Sequence, residues 1–390
     1  MEERPEMDQK IVVLIKNYPP DITASGNLAK KIVDVLAKTH DVTVITHAQD
    51  EVTSNEKNIV RVKSFDRVIF EKINHGSSLE RFVFRVVNRI KNRMVKSLVS
   101  QKSGMKYLKE VRTFLRQTPD AIVLPFTFDE IHDSIALKAE FPRIKLIPYV
   151  LEVFPVFIQG QEKERILNDL ISSSHRIFVL PYLKDYFNGS SKVVVTEHPM
   201  VVDNTRPANP DLFDCVYVGG LDVTIRNPVF FLELLKDHPV ANMATHFYSY
   251  GNCQGILAEF AKQIPSFTSH GPVSSDIAQS VLSSASLIVT IGNKNSDLVP
   301  SKLFDCISTG NPIVHFYYDE KDPYLDYLKN YPLSVCLPIS SRDVAARFND
   351  FALSHRNQKL PFTLIREKFE IFTPEYVVDV FLKELEGDTR

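Results

Sequence analysis

Two carboxylates separated by seven residues, with a lysine between them, are the strongest chemical signal in the sequence. The run from Asp297 to Ile313 reads DLVPSKLFDCISTGNPI. Pro300 suits the first turn of a helix, where its missing N–H costs nothing. Ser301, Lys302 and Leu303 then open that helix, with amide groups aimed where an anion binds. A carboxylate accepts two hydrogen bonds from vicinal hydroxyls, so Asp297 and Asp305 are suited to the two ends of a sugar nucleotide. The same pattern also fits a helix-start acid plus an ordinary Lys302–Asp305 pair worth about 0.3–0.5 kcal/mol. Upstream, Gly219 and Gly220 end an apolar run, and Arg226 and Pro228 precede the next helix. Glycines there admit a bulky ligand close to the backbone, and a cation beside a helix start suits a phosphate. Plain turn chemistry accounts for such a Gly-Gly pair equally well.

These residues need a scaffold, and the periodicity supplies one. Ile11–Ile15 is a five-residue apolar run, followed by a Pro/Gly/Ser loop over 17–26, an amphipathic helix over 27–38 and a short strand over 42–46. That order is the βαβ unit of a parallel sheet. Further strands are expected at 121–124, 145–151, 176–180 and 192–196, with helices at 129–140 and 161–172 between them. A Pro/Asn/Asp-rich stretch over 197–210 reads as a linker. A second α/β series follows, with strands at 213–218, 245–250, 266–269, 286–291 and 312–317. Its helices are expected at 228–236, 256–263, 275–284, 301–308 and 342–354. The expectation is an α/β protein of two Rossmann-like domains facing across a cleft, one over 1–200 and one over 207–373. A final amphipathic helix over 374–386 is placed to pack back on the first domain.

A chain of 390 residues is long enough for two cores. With 44% apolar and 24% charged residues and a net charge of -2, it has neither the profile of a disordered chain nor that of a nucleic-acid binder. Charge is nevertheless uneven, with fifteen Lys and Arg against four acids between Arg61 and Arg116. Cys215, Cys253, Cys306 and Cys336 are scattered, without the paired spacing of a zinc or redox site. They read as buried thiols of a reducing compartment. The apolar run at the N-terminal strand is too short for a signal peptide or a membrane span, so a cytoplasmic location is expected.

The block from Asp297 resembles the retaining, two-domain glycosyltransferases of the large family 4 class. There, E-x(7)-E precedes an ending of small residue, Gly, x, Pro and a hydrophobic residue. Here Asp297-x(7)-Asp305 precedes Ser308-Thr309-Gly310-Asn311-Pro312-Ile313. FDCVYVGGLDVTIRNP resembles that family's strand followed by G-R-x(5)-K-G, with Gly219 at the first glycine and Arg226 at the lysine. The first strand and the loop from Pro19 to Gly26 resemble its acceptor-side loop. Both acids are Asp rather than Glu, and Gly220 stands where the family has arginine, so one cation fewer is on hand for a pyrophosphate.

The resemblance implies the GT-B architecture and transfer of a sugar from a nucleoside diphosphate sugar to a glycan or lipid-linked acceptor. It also implies retention, with the donor phosphate taking the acceptor proton, and a role in polysaccharide or glycoconjugate synthesis. It places Gly219, Gly220, Arg226, Asp297, Ser301, Lys302, Leu303 and Asp305 around the donor. Asp305 would hold ribose, Asp297 the sugar, and Arg226 and Lys302 the pyrophosphate, with no metal or other cofactor. Two alternatives are a nucleotide-sugar 2-epimerase and a non-catalytic partner of an active transferase.

The acceptor side falls to Ser25, Gly26, Asp129 and Glu152. Glu152 ends a strand and Asp129, Glu130 and His132 begin a helix after another, and ligands gather at such carboxyl ends. Glu152 joins Arg226, Lys302 and Asp297 as a candidate for the chemistry, against the reading of a solvated strand-end acid. His132 and His198 are weaker candidates, since a single histidine is more often structural. Over 79–99, Arg81, Arg85, Arg89 and Arg93 border a stripe of Phe82, Val86, Ile90 and Met94. This pattern suits an anionic membrane surface at the inner face of the membrane, and equally an ordinary core helix with a charged edge.

Overall fold

The computed structural model describes residues 9–19, 23–48, 58–63, 99–151, 160–187, 189–294 and 302–386. Asp297, Ser301, Glu152 and the basic segment up to residue 98 lie outside them. Contacts divide the chain into two compact units, Met1–Pro199 with Pro374–Arg390, and Met200–Thr373.

Unit 1 is a parallel α/β sheet. Strand β1 (Ile11–Ile15) is buried along its whole length, as a strand covered on both faces must be. It lies between β2 (Val42–Ala48) and β4 (Ile122–Pro125), and the sheet continues outward to β3 (Ile59–Lys63) and β5 (Lys145–Leu146), in the order 3-2-1-4-5. The strand expected over 145–151 is broken at Ile147–Pro148, because proline has no N–H for a ladder. The break is a change of partner: Ile147 N donates to Val123 O, and Pro148 O accepts from Phe178 N. β6 (Tyr149–Val150) then pairs with β7 (Ile177–Val179), which pairs with β8 (Val193–Val195).

Helix α1 (Ala24–Leu36) begins three residues earlier than its apolar pattern suggests, because Thr23 caps it by accepting from Gly26 N at 3.1 Å. Ser25 and Gly26 therefore lie in a helical first turn, which corrects their placement in a loop. A side chain at Gly26 would strike Asn17 O at 2.5 Å and Thr23 Oγ1 at 2.7 Å. Helix α2 (Val99–Gln117) escapes the sequence pattern, yet its Tyr107, Val111 and Leu115 pack in the core with Val12, Leu14, Ile45 and Leu146. Helices α3 (Phe128–Glu140) and α4 (Gly160–Ser173) follow β4 and β5/β6. The last helix of the chain, Pro374–Glu386, packs on this unit, with Phe381 against Phe178 at 5.6 Å and Glu384 accepting from Arg176 at 2.7 Å.

Unit 2 has the strand order 3-2-1-4-5-6, realised as β11 (Phe267–Ser269), β10 (Ala244–Gly251), β9 (Asp214–Leu221), β12 (Leu287–Ile291), β13 (Ile313–Tyr317) and β14 (Ser334–Pro338), all parallel. This is the doubly wound dinucleotide-fold order. Helix α5 (Val229–Asp237) supplies Phe231 to an aromatic core, at 6.0 Å from Phe247, 5.3 Å from Phe316 and 5.5 Å from Phe348. Such pairs add about 0.5–1.5 kcal/mol each beyond their area burial. Val201 N donates to Phe372 O at 2.9 Å, so the segment entering unit 2 is tied to the one leaving it.

Candidate functional site

In unit 2 the strand order reverses between β9 and β12, the crevice where open α/β sheets take ligands. The sequence suggests that β9 stops at Gly219-Gly220. Instead it runs on to Leu221, with Gly219 opposite Ser249 and Gly220 opposite Tyr250. The turn follows at Asp222–Arg226, closed by reciprocal backbone bonds of 3.1 and 2.9 Å. Asp222 Oδ1 accepts from Thr224 N and Ile225 N inside it. An added Cβ at Gly220 would meet the Tyr250 ring at 3.0 Å, a tight contact with an exposed side chain.

That turn delivers Arg226 to the crevice. Its Nε and Nη2 donate to Asn293 Oδ1 at 3.0 and 2.6 Å, and Nη1 donates to Gly220 O at 3.3 Å. Lys294 N donates to Ile225 O at 2.7 Å, so backbone and side chain both join the turn to the end of β12. Tyr217 OH donates to Gly220 O at 2.9 Å. Burial pushes the Tyr217 hydroxyl up to about 12, with Arg226 pulling the other way. Burial also opposes the Arg226 charge, but Tyr217 and Tyr324 favour it and the net shift is upward.

Lys302 opens a short helix (Lys302–Ile307) and donates to Asp305 Oδ2 at 2.8 Å. Burial alone lowers a lysine, yet Asp305 more than offsets it and the pKa is raised. The Tyr250 hydroxyl acts electrostatically on both Arg226 and Lys302, which puts the two cations in one neighbourhood. The Tyr250 ring is 64% exposed. Leu303 is fully buried, so its side chain belongs to the core and only its backbone is available to a ligand. Beneath the crevice, His315 Nε2 lies 3.3 Å from Asp322 Oδ2 and Thr290 Oγ1 lies 2.9 Å from His315 Nδ1. Asn293, Tyr217 and Tyr250 have no sequence motif. A polar Asn right after a buried strand was the one available signal, and it reads first as a turn residue.

A second polar cluster sits at the carboxyl edge of unit 1. Asp129 is exposed and pairs with Lys16 at 2.9 Å. Its neighbour Glu130 is the unexpected residue, with a side chain 2% exposed beside His47, Nε2 to Oε1 3.7 Å. Thr127 Oγ1 hydrogen-bonds Glu130 Oε2. The His47 imidazole stacks on Tyr107 at 4.6 Å. Burial, then the charge of Asp129, pushes the Glu130 carboxyl up to about 8. His132 stacks on Phe128 at 6.2 Å, and His198 is buried, which lowers it to about 4.

Cys215, Cys253 and Cys306 are buried and Cys336 is half-buried. Among the described residues, no group of three or more His, Cys, Asp or Glu is placed to hold a metal. Among them, too, no helix is long and apolar enough to cross a membrane.

No protein-family model matches the sequence, and no curated protein matches it. Solved structures do. Anabaena HepE in complex with UDP aligns with a TM-score of 0.62 at 9% identity, over 97% of this chain and 100% of that one. The lipopolysaccharide outer core galactosyltransferase WaaB, in its apo form, aligns at 0.56 and 12% identity, over 97% and 100%. The N-terminal domain of Candida albicans trehalose-6-phosphate phosphatase aligns at 0.62 and 12% identity, over 99% and 98%. At such identities the likeness is one of fold. The chain has the GT-B fold of two Rossmann-like domains, shared along nearly its whole length with glycosyltransferase structures.

Proposed function

We propose that the chain is a glycosyltransferase that moves a sugar from a nucleoside diphosphate sugar to a hydroxyl of a glycan or lipid-linked acceptor, with unit 2 binding the donor. The observation that carries this reading is the Arg226 guanidinium, anchored by Asn293 at the strand-order reversal of a dinucleotide-type sheet. As the anomeric carbon becomes oxocarbenium-like, charge accumulates on the departing diphosphate. Cations already oriented toward it lower the barrier without reorganising. Arg226 and Lys302 supply that charge, and Asp305, beside Lys302, offers carboxylate oxygens to ribose hydroxyls. Gly219 and Gly220 end β9 beside them, under the rings of Tyr217 and Tyr250. By resemblance, Asp297 and Ser301 complete the donor side, Glu152, Asp129, Ser25 and Gly26 serve the acceptor, and the sugar is transferred with retention. The basic segment 79–99 would hold the chain at an anionic membrane surface, in a cytoplasmic enzyme of polysaccharide synthesis that uses no metal.

HepE was solved with UDP, so UDP is the first probe. A thermal-shift screen of UDP-, GDP-, ADP- and dTDP-sugars tests the reading. A ligand at about 100 times its Kd stabilises the fold by about 2.7 kcal/mol. A shift with one class, lost in Arg226→Ala, is expected. No shift with any of the four ends the proposal.

A further inference from the structure

We infer that Tyr250 is a further donor-binding residue of unit 2, whose hydroxyl donates a hydrogen bond to the diphosphate of the nucleotide sugar beside Arg226 and Lys302. This deepens the transferase reading and rests on it. Tyr250 is the last residue but one of β10, at the carboxyl end of the sheet and directly opposite Gly220 of β9. That end of the strand is held in place by its own neighbours. Gly251 has a φ of +112°, and a Cβ there would strike Leu221 O, so only glycine lets β10 finish this close to β9. Asn252 then accepts from Val223 N on Oδ1 at 2.9 Å and donates from Nδ2 to Asp222 Oδ2 at 2.8 Å. The end of β10 is thereby tied to the same turn that delivers Arg226.

The Tyr250 ring lies over Gly220, where an added Cβ would stand 3.0 Å from the ring and 3.2 Å from the hydroxyl oxygen. Gly220 O accepts from Arg226 Nη1 at 3.3 Å and from the Tyr217 hydroxyl at 2.9 Å. Gly220 is thus flanked by the Tyr250 hydroxyl and the Arg226 guanidinium, and Lys302 stands near enough to feel the same hydroxyl. The neighbouring tyrosines, Tyr217 and Tyr324, are buried, whereas Tyr250 is the most exposed large side chain of its kind among the described residues. It has no place in the aromatic core of unit 2, so packing does not account for its position. Among the described residues its hydroxyl gives no hydrogen bond, which leaves a spare donor beside two cations.

The chemistry that matches this arrangement is a phosphate oxygen. Arg226 and Lys302 repel one another, and a third cation would add to that repulsion. A phenol supplies another hydrogen bond to the same anion without a further charge, and a bond to an ionised acceptor is among the stronger ones.

The test uses the full chain, Tyr250→Phe, which keeps the ring and removes the hydroxyl, and two probes, UDP and inorganic pyrophosphate. Pyrophosphate carries the charges without base or ribose. By titration calorimetry Tyr250→Phe is expected to weaken both probes about tenfold, with Tm unchanged because the ring is exposed. Wild-type affinity of Tyr250→Phe for both probes overturns the assignment. A loss for UDP with pyrophosphate unaffected overturns it too, because the hydroxyl would then read the base or ribose. A wild-type chain that binds pyrophosphate but none of UDP, GDP, ADP and dTDP ends the transferase reading, and the pyrophosphate comparison still decides whether the hydroxyl serves an anion. A wild type that binds neither kind of probe ends both.

Discussion

Arg226 places two of its nitrogens on the single Oδ1 of Asn293, so the turn after β9 and the end of β12 hold one cation between them. The guanidinium is oriented before any ligand arrives, which reduces what binding must spend on ordering it. Arg226→Ala is expected to weaken UDP binding at least 100-fold by titration calorimetry. Asn293→Ala, which leaves the charge but removes its anchor, is expected to weaken it about tenfold, or about 1.4 kcal/mol. Equal effects of the two variants would mean that orientation alone matters.

Lys302 depends on Asp305. Its raised pKa means stability that is present below the unfolded lysine value and lost only as pH rises through the folded one. At neutral pH the pair is therefore fully formed. Asp305→Asn leaves Lys302 with burial and without its partner, so its pKa should fall below the ordinary lysine value. With one-third of the lysine side chain in solvent, the expected loss is about 1 kcal/mol after screening, measured by urea denaturation at pH 7.

Glu130 should make unit 1 less stable as pH rises. Its folded pKa of about 8 lies above its ordinary 4.5, so between those values the native state binds a proton that the unfolded state has released. Stability then falls with pH by about 1.4 kcal/mol per unit for that proton. Melting curves from pH 5 to 8 should show Glu130→Gln gaining on the wild type as pH increases. A gap between them that does not change with pH refutes this.

His198 acts in the opposite direction. Burial lowers its pKa from 6.5 to about 4, so the unfolded state binds more protons in that window and stability falls as pH drops through it. Acid titration monitored by circular dichroism should show His198→Gln resisting the loss between pH 6.5 and 4. A variant as acid-labile as the wild type would show that other groups dominate.

Gly26→Ala tests the first turn of α1. The new methyl would meet the Asn17 carbonyl oxygen at 2.5 Å, a backbone atom that cannot simply rotate away. A loss of about 1–3 kcal/mol, the usual cost of forced overpacking, is expected in thermal unfolding. Gly255→Ala, with nothing within 4 Å of the added carbon, is the control and should cost little.

Legibility in the sequence followed the strength of local signals. The fully apolar β1 and the α/β alternation expose the two Rossmann-like domains, because strands buried on both faces leave no polar interruptions. Helix α2 is hidden because the residues it brings to the core, Tyr107, Val111 and Leu115 with Leu108 and Phe114 beside them, are interspersed with lysines and arginines. β3 and β14 are five-residue edge strands, each paired with the strand just before it, and strands this short leave little periodicity to read. At the candidate site, Arg226, Lys302 and Asp305 stand out by type and spacing. Asn293 and Tyr250 matter only through contacts that the fold creates. Glu130 reads as a helix-start acid beside Asp129, and burial alone separates the two.

The hydrogen bond between Val201 and Phe372 closes unit 2 into a loop of chain that leaves unit 1 and returns to it. The ribosome therefore delivers the helix Pro374–Glu386 only after the whole of unit 2 has emerged. Until then β7 lacks the Phe381 ring that covers Phe178. Unit 2, contiguous in sequence and with its ends already side by side, can mature first. Unit 1, although begun earlier, must wait for the final helix to be translated before its core is sealed. Truncations that spare every candidate site residue but remove the last dozen or so amino acids should therefore expose unit 1 to proteases while leaving unit 2 intact.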